Sequence, residues 1–412
     1  MPNGVTLFRW GRLARTLVVL PAALTLFGCV VRLPSVDPLH TPTAIPLVPT
    51  PPSATSAVAS ALPVAPVATL EPHPVEGSAA PPPLPAPGSL RWRVGVGVPH
   101  GRSPAPLPWP LERPGFYLNW SVGYTETVWA TAPMTATLDP GDWVIPPDAA
   151  VGMAFVPLVW VNGAEVLPPL PWLAGTVAQL PRRTWLIGNE PDVKWQGNAT
   201  PDEYAQAYHA AYTVIKAADP TAQVAIGGVS QVTPLRLQYL EEVWTAYAAR
   251  YGGPMPVDVW TMHAFVLQER AGAWGVDVPP GLDVTTGEAW TIEDHDDLTL
   301  VAVQVRRMRD WMAAHGQRAK PLWVTEYGIL MPAAYGFDEE RVRRFLLGSF
   351  DLFATLIDAE LGDPADGGRL VQRWVWFSMD DALFPTGNLF TLDGHPTGVL
   401  AALAAYLREF GE

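Results

Sequence analysis

The sequence predicts an α/β protein, a (β/α)8 TIM barrel, and three observations carry that prediction. Beyond Leu90, short apolar runs alternate with amphipathic helical stretches, the pattern of parallel strands covered by the helices that connect them. Eight such runs can be counted in the last 322 residues, against the roughly 250 that a barrel needs before insertions. Two of the eight end on a glutamate followed by a chain-turning proline or glycine.

The chain begins with a different grammar. Arg9, Arg12 and Arg15 precede an apolar run from Leu17 to Phe27, with no acid among them. The run is shorter than the roughly 20 residues that span a bilayer, so residues 1–29 read as a secretory signal. Cys29, the single cysteine, stands where the bacterial lipobox has its lipidated residue, and the expectation is a lipoprotein outside the cytoplasm; an ordinary secretory signal is the alternative. With one cysteine no disulfide can form within the chain. Residues 30–90 hold 16 prolines and four charged residues, a composition that favours an extended, disordered stalk.

The eight strands are expected at Trp92–Val98, Gly115–Trp120, Gly152–Val161, Thr184–Asn189, Gln223–Gly228, Val257–His263, Pro321–Glu326 and Arg373–Ser378, each apolar enough to be buried on both faces. Helix signals are clearest in the second half. Thr200-Pro201-Asp202-Glu203 supplies a capping hydroxyl, a proline for the first turn and an acid behind it. Core stripes follow at helical spacing: Tyr204, Tyr208 and Tyr212; Val301, Val305, Met308 and Met312; Val342, Leu346, Phe350, Phe353 and Ile357; and Leu403 and Leu407 within a last helix from Val399 to Phe410. The acidic run Glu293 to Asp297 reads as the start of a helix near Leu298 and not as a calcium loop. The long connection Leu267 to Asp297 is expected to wall the mouth of the barrel.

The chemistry is concentrated at two strand tips. Trp185-Leu186-Ile187-Gly188-Asn189-Glu190-Pro191-Asp192 and Leu322-Trp323-Val324-Thr325-Glu326-Tyr327-Gly328 each deliver a carboxylate to the C-terminal end of a strand, 136 residues apart. Two carboxylates at the ends of different barrel strands suit glycoside hydrolysis, Glu190 as general acid/base and Glu326 as nucleophile. The nearby charge of Glu326 and apolar walls are expected to favour the protonated form of Glu190. Either glutamate alone could instead cap a helix. Residues 91–412 carry 22 basic and 37 acidic residues, net −15, which argues against nucleic acid as a partner. There is no Gly-rich phosphate loop, no histidine pair at ligand spacing and no cysteine cluster, so neither a cofactor nor a catalytic metal is expected.

These two tips, with Phe116-Tyr117-Leu118-Asn119-Trp120 and Phe155-Val156-Pro157-Leu158-Val159-Trp160, resemble the retaining glycoside hydrolases of clan A, and within it family 128. The resemblance spans the folded region. It implies a β-1,3-glucanase, with Asn189 on the substrate's 2-hydroxyl and Trp376 as the strand-eight tryptophan that floors the cleaved-bond subsite. Asn119, Trp120, His263 and Tyr327 are the other residues expected at the substrate. Eighteen tryptophans offer stacking surfaces for sugar rings, Trp160, Trp195 and Trp374 among them, though packing would explain any one of them equally well. Where similar enzymes place tyrosine two residues after the strand-six histidine, this chain has Phe265, so either Tyr327 or another group substitutes for the missing hydroxyl or activity is reduced.

The expected protein is therefore a monomeric, surface-tethered glycosidase acting on an extracellular polysaccharide. The alternatives are another clan A enzyme, β-xylosidase-like or mannanase-like, and a glycan-binding lipoprotein without turnover.

Overall fold

The computed structural model describes residues 81–123 and 148–411. The signal segment, Cys29 and the linker up to residue 80 lie outside the described residues.

Among the described residues ten strands form: β1 (Val94–Gly97), β2 (Phe116–Leu118), β3 (Ala154–Phe155), β4 (Leu158–Asn162), β5 (Glu165–Leu167), β6 (Thr184–Ile187), β7 (Gln223–Ile226), β8 (Trp260–His263), β9 (Leu322–Gly328) and β10 (Arg373–Phe377). Eight α-helices accompany them: α1 (Leu90–Arg93), α2 (Asp148–Val151), α3 (Leu170–Gln179), α4 (Pro201–Ala218), α5 (Pro234–Tyr251), α6 (Leu298–Ala314), α7 (Glu339–Thr355) and α8 (Gly398–Phe410). The strands pair in parallel in the orders β3-β2-β1-β10-β9-β8 and β4-β6-β7. Two seams join these arcs into a barrel. The expected third strand is one path broken at Pro157, which has no N–H to donate; its first half, β3, pairs with β2 and its second half, β4, with β6. Between β7 and β8 the seam is made by the bridges Ala225 to Val259 and Val229 to Met262.

Three details depart from the sequence reading. Trp92 is in α1 and not in the first strand, because Ser89 caps that turn by accepting from the Trp92 N–H. β5 folds back antiparallel on β4, an addition to the barrel. Ile357 lies past the end of α7 and is 51% exposed, whereas Val342, Leu346, Phe350 and Phe353 are buried.

Local signals account for the helices. Thr200 and Glu203 form a reciprocal capping box ahead of α4, and the Asp297 carboxylate caps α6 by accepting from the Thr299 N–H. The acidic run before α6 is a short 3-10 turn whose Asp296 pairs with Arg341 of α7.

The N-terminal mouth of the barrel is closed by one cation. The buried Arg373 guanidinium lies 3.7 Å from the centre of the Phe116 ring and 4.6 Å from those of Trp92 and Trp323, while its Nε donates to the Trp92 carbonyl. Burial lowers its pKa to about 9. Facing aromatic rings favour the cation electrostatically where water cannot reach it. This stack fixes the parity of β10: Arg373, Val375 and Phe377 face inward, and Trp374 and Trp376 face the helices.

Candidate active site

Glu190 sits one turn past β6 with φ at +41°, in the left-handed region that a side chain adopts only at a cost. Its backbone is over-determined. The Glu190 N–H donates to the Gly228 carbonyl at 3.0 Å, and its own carbonyl accepts from the Val193 and Gly197 N–H groups. A Cβ at Gly228 would stand 2.7 Å from the His263 ring, so glycine there is what admits the imidazole beside Glu190.

Glu326 reaches the interior by a different device. Trp323 and Glu326, three residues apart on β9, both face inward, which strict alternation forbids. The register of β9 slips against both neighbours, between Met262 and His263 on β8 and between Trp374 and Trp376 on β10, and this bulge inserts the extra residue.

The side chains converge at the C-terminal mouth. His263 Nδ1 lies 3.0 Å from Glu190 Oε1 and 3.8 Å from Glu326 Oε2. One donor atom from each of Glu190, His263 and Glu326 falls within 4.8 Å of the other two. The Trp120 indole N–H donates to Glu326 Oε2 at 3.2 Å. Trp120 also has a left-handed backbone, φ +51°, and its ring lies against Gly97, where a Cβ would meet it at 2.5 Å. Phe377 packs edge-on against Trp120 and Phe265, and Phe265 edge-on against His263.

Electrostatics follow from burial. Removal from water pushes the Glu326 carboxyl up to about 8; the charge of Glu190 adds to this, while His263 and the Trp120 N–H oppose it. Burial alone would lower His263, but the carboxylates of Glu326 and Glu190 outweigh it and raise the imidazole above its ordinary value. Glu326 and His263 thus retain protons that the same groups would release in water.

A second buried layer holds the turn that carries Glu190. Arg236 at the start of α5 donates from Nε to Asp192 Oδ2 at 2.7 Å and pairs through Nη1 with Glu269. Ser230 Oγ donates to Asp192, and Thr233 Oγ1 donates to Glu269, at 2.7 Å each. Burial raises the pKa of Asp192, and Arg236 opposes the rise. An uncompensated buried charge costs several kcal/mol, roughly 3–5 when one partner is removed, so this network locks the segment that carries Glu190.

Several expected site residues lie elsewhere. Tyr327 points away from the mouth into the helix layer, where Ser349 Oγ donates to its hydroxyl at 3.2 Å. Trp376 stands beside it, 5.5 Å between ring centres, and donates to the Gly387 carbonyl. The parity set by Arg373 is the reason, and Phe377 is the β10 aromatic that faces the glutamates. Trp374 shares the face of Trp376, as expected, but that face is the helix side, against Phe350 and Phe353. Asn119 is fully buried and braces its own loop, donating to the Arg102 and Gly123 carbonyls and accepting from the Ser121 N–H. Asn189 precedes Glu190 at the tip and is 5% exposed. Trp160 meets the edge of His100, whose imidazole burial holds neutral with a pKa near 4. Trp195 carries the Lys194 ammonium 4.6 Å above its ring.

No family model matches the chain, and no curated protein matches it. Among solved structures it is similar to a glycoside hydrolase family 128 (subgroup II) endo-β-1,3-glucanase from Pseudomonas viridiflava, at 18% identity and TM-score 0.49, over 76% of this chain and 97% of that one. A subgroup II endo-β-1,3-glucanase from Sorangium cellulosum is similar at 16% identity and TM-score 0.47, over 76% and 98%. A subgroup III curdlan-specific exo-β-1,3-glucanase from Blastomyces gilchristii, in complex with glucose, is similar at 18% identity and TM-score 0.44, over 77% and 99%.

Proposed function

We propose that the chain is a retaining glycoside hydrolase cleaving β-glycosidic bonds of an extracellular polysaccharide, with β-1,3-glucan the substrate implied by its strand-tip motifs. One observation carries the reading. The buried carboxyls of Glu190 and Glu326 bring an oxygen of each within 4.8 Å at the C-terminal mouth of a barrel, nearer the roughly 5–5.5 Å between carboxyls of retaining glycosidases than the roughly 6.5–9.5 Å of inverting ones.

In the first step a Glu326 oxygen attacks the anomeric carbon as the glycosidic C–O bond breaks, and Glu190 gives its proton to the leaving oxygen. Water, deprotonated by the Glu190 carboxylate, then displaces Glu326. Attack needs the proton of the pair on Glu190 and not on Glu326. The Trp120 N–H favours that distribution, because it hydrogen-bonds a Glu326 oxygen and stabilises the ionised form. It thereby supplies the contact that Phe265 lacks the hydroxyl to make.

Hydrolysis of a panel of β-1,3-, β-1,4- and mixed-linkage glucans, mannan and xylan tests the proposal. Inactivity on all of them would leave the glycan-binding alternative. Glu190, His263 and Glu326 are also the one group of metal-type donors found among the described residues, and two carboxylates with an imidazole can hold a divalent cation. Running the panel with and without EDTA separates the readings: the glycosidase mechanism predicts no loss on chelation.

The setting is part of the proposal. Cys29 would carry a lipid that fixes a monomeric catalytic domain outside the cytoplasm through the proline-rich linker. Replacing Cys29 by Ser should release the protein into a detergent-free supernatant; equal partitioning of parent and variant would rule out the anchor.

A further inference from the structure

A second polar pair stands on the rim of the same mouth. Arg102 lies in the loop after β1, and Asp380 lies in the loop after β10, three residues past Phe377. Arg102 Nη1 donates to Asp380 Oδ2 at 2.7 Å; the Asp380 side chain is 3% exposed, while that of Arg102 is 46% exposed. Asp380 Oδ1 is buried with no hydrogen-bond partner among the described residues. Burial raises the Asp380 pKa, which the adjacent guanidinium opposes.

The site reaches this rim through short links. Phe377 packs on Trp120, whose N–H is on Glu326, and Asp381, the residue after Asp380, is close enough for its charge to act on Glu326. The Arg102 backbone is fixed as well: its carbonyl accepts from Asn119 Nδ2, and its N–H donates to the Pro99 carbonyl. A fixed backbone, a buried carboxylate on one N–H and a half-exposed guanidinium side chain make a fork held ready for a ligand.

Resting on the glycosidase reading above, we infer that Arg102 is a substrate-binding and specificity-determining residue that donates to ring hydroxyls of a neutral sugar. Asp380 is its positioning residue. Neutrality of the sugar follows from charge: Asp380 already compensates the guanidinium, and Asp381, Glu326 and Glu190 make the surroundings acidic, so a uronate carboxylate would be repelled where a hydroxyl can accept.

The test uses the whole protein and its Arg102→Ala, Arg102→Lys and Asp380→Asn variants. Each is assayed on a neutral gluco-oligosaccharide of the linkage the parent cleaves and on an aryl glucoside that occupies fewer sugar sites. Thermal unfolding is followed alongside, with Glu326→Ala as the inactive control. Arg102→Ala should raise KM for the oligosaccharide about 10-fold or more while kcat changes less, with the aryl glucoside less affected. Arg102→Lys should recover only part of the loss, since an ammonium does not reproduce the planar fork. Asp380→Asn should shift KM in the same direction. Equal KM in parent and Arg102→Ala, with the parent active, overturns this inference alone. Absence of both hydrolysis and oligosaccharide binding in the parent overturns it together with the glycosidase reading.

Discussion

The indole N–H of Trp120 donates to Glu326 Oε2 at 3.2 Å, so the end of β2 and the end of β9 meet at the proposed nucleophile. Trp120 is held there by a left-handed backbone and by the open space over Gly97. Trp120→Phe keeps the ring and deletes the donor. A hydrogen bond to a charged group contributes about 1.5–3 kcal/mol, so kcat/KM should fall roughly 10- to 100-fold. The acidic limb of the pH profile should also move to higher pH, because the ionised form of Glu326 loses its donor. An unmoved limb would show that the contact plays no part in catalysis.

Burial pushes the Glu326 carboxyl up to about 8, against an ordinary value of 4.5, so the ionised form that attack requires grows in as pH rises toward that value. The folded state therefore binds a proton that the unfolded chain has lost over that window, and stability falls as pH rises from about 4.5 through 8. His263 acts in the same sense: its raised folded value contributes stability that is complete below its unfolded pKa of 6.5 and is lost as pH rises through the folded one. Glu326→Gln removes the first contribution. Its Tm relative to the parent should be higher at pH 8 than at pH 5, measured by calorimetry at both. A Tm difference independent of pH would contradict the assignment.

The helix-side placement of Tyr327 predicts a silent catalytic phenotype. Tyr327→Phe removes only one hydrogen-bond partner of Ser349 Oγ, whose single proton has the Leu346 carbonyl at 2.8 Å as an alternative acceptor. Stability should drop by about 1 kcal/mol with kcat/KM within about 2-fold of the parent. A large loss of turnover would mean that Tyr327 reaches the substrate.

Where the folded domain starts can be tested by truncation. The chain before α1 rests on the barrel: Pro82 covers Gly152, Arg91 Nη1 donates to the Pro83 carbonyl at 2.7 Å, and Ser89 caps α1. A chain starting at Pro81 should match the parent in activity and Tm. One starting at Leu90, the boundary read from composition, should stay active but melt several degrees lower. Equal Tm values would put the boundary back at Leu90.

The barrel was legible because its strands are short apolar runs closed by glycine or proline, and because Thr200 and Asp297 announce their helices. The glutamates were legible for the same reason, since each ends a run that burial makes unmistakable. Side-chain direction was not. The outward turn of Trp376 is set by Arg373 among three rings from three separate segments, and the inward turn of Glu326 by a bulge visible only in the pairing with β8 and β10. Asn119 read as a ligand contact because an amide ending a strand looks alike whether it faces a sugar or its own loop. The Asp192, Arg236 and Glu269 network joins residues 44 and 33 positions apart, a separation that no local pattern encodes.

The stereochemistry of hydrolysis tests the central claim most directly. Carboxyl oxygens within 4.8 Å fit direct attack, whereas about 6.5–9.5 Å between carboxyls would admit a water and invert the anomeric centre. Proton NMR of the first product formed from a β-linked substrate should show the β-anomer before mutarotation, and Glu326→Gly with azide should yield the α-glycosyl azide from an activated β-glycoside. An α-anomer released first by the parent, or undiminished turnover in Glu326→Gly, would contradict the assignment of Glu190 and Glu326.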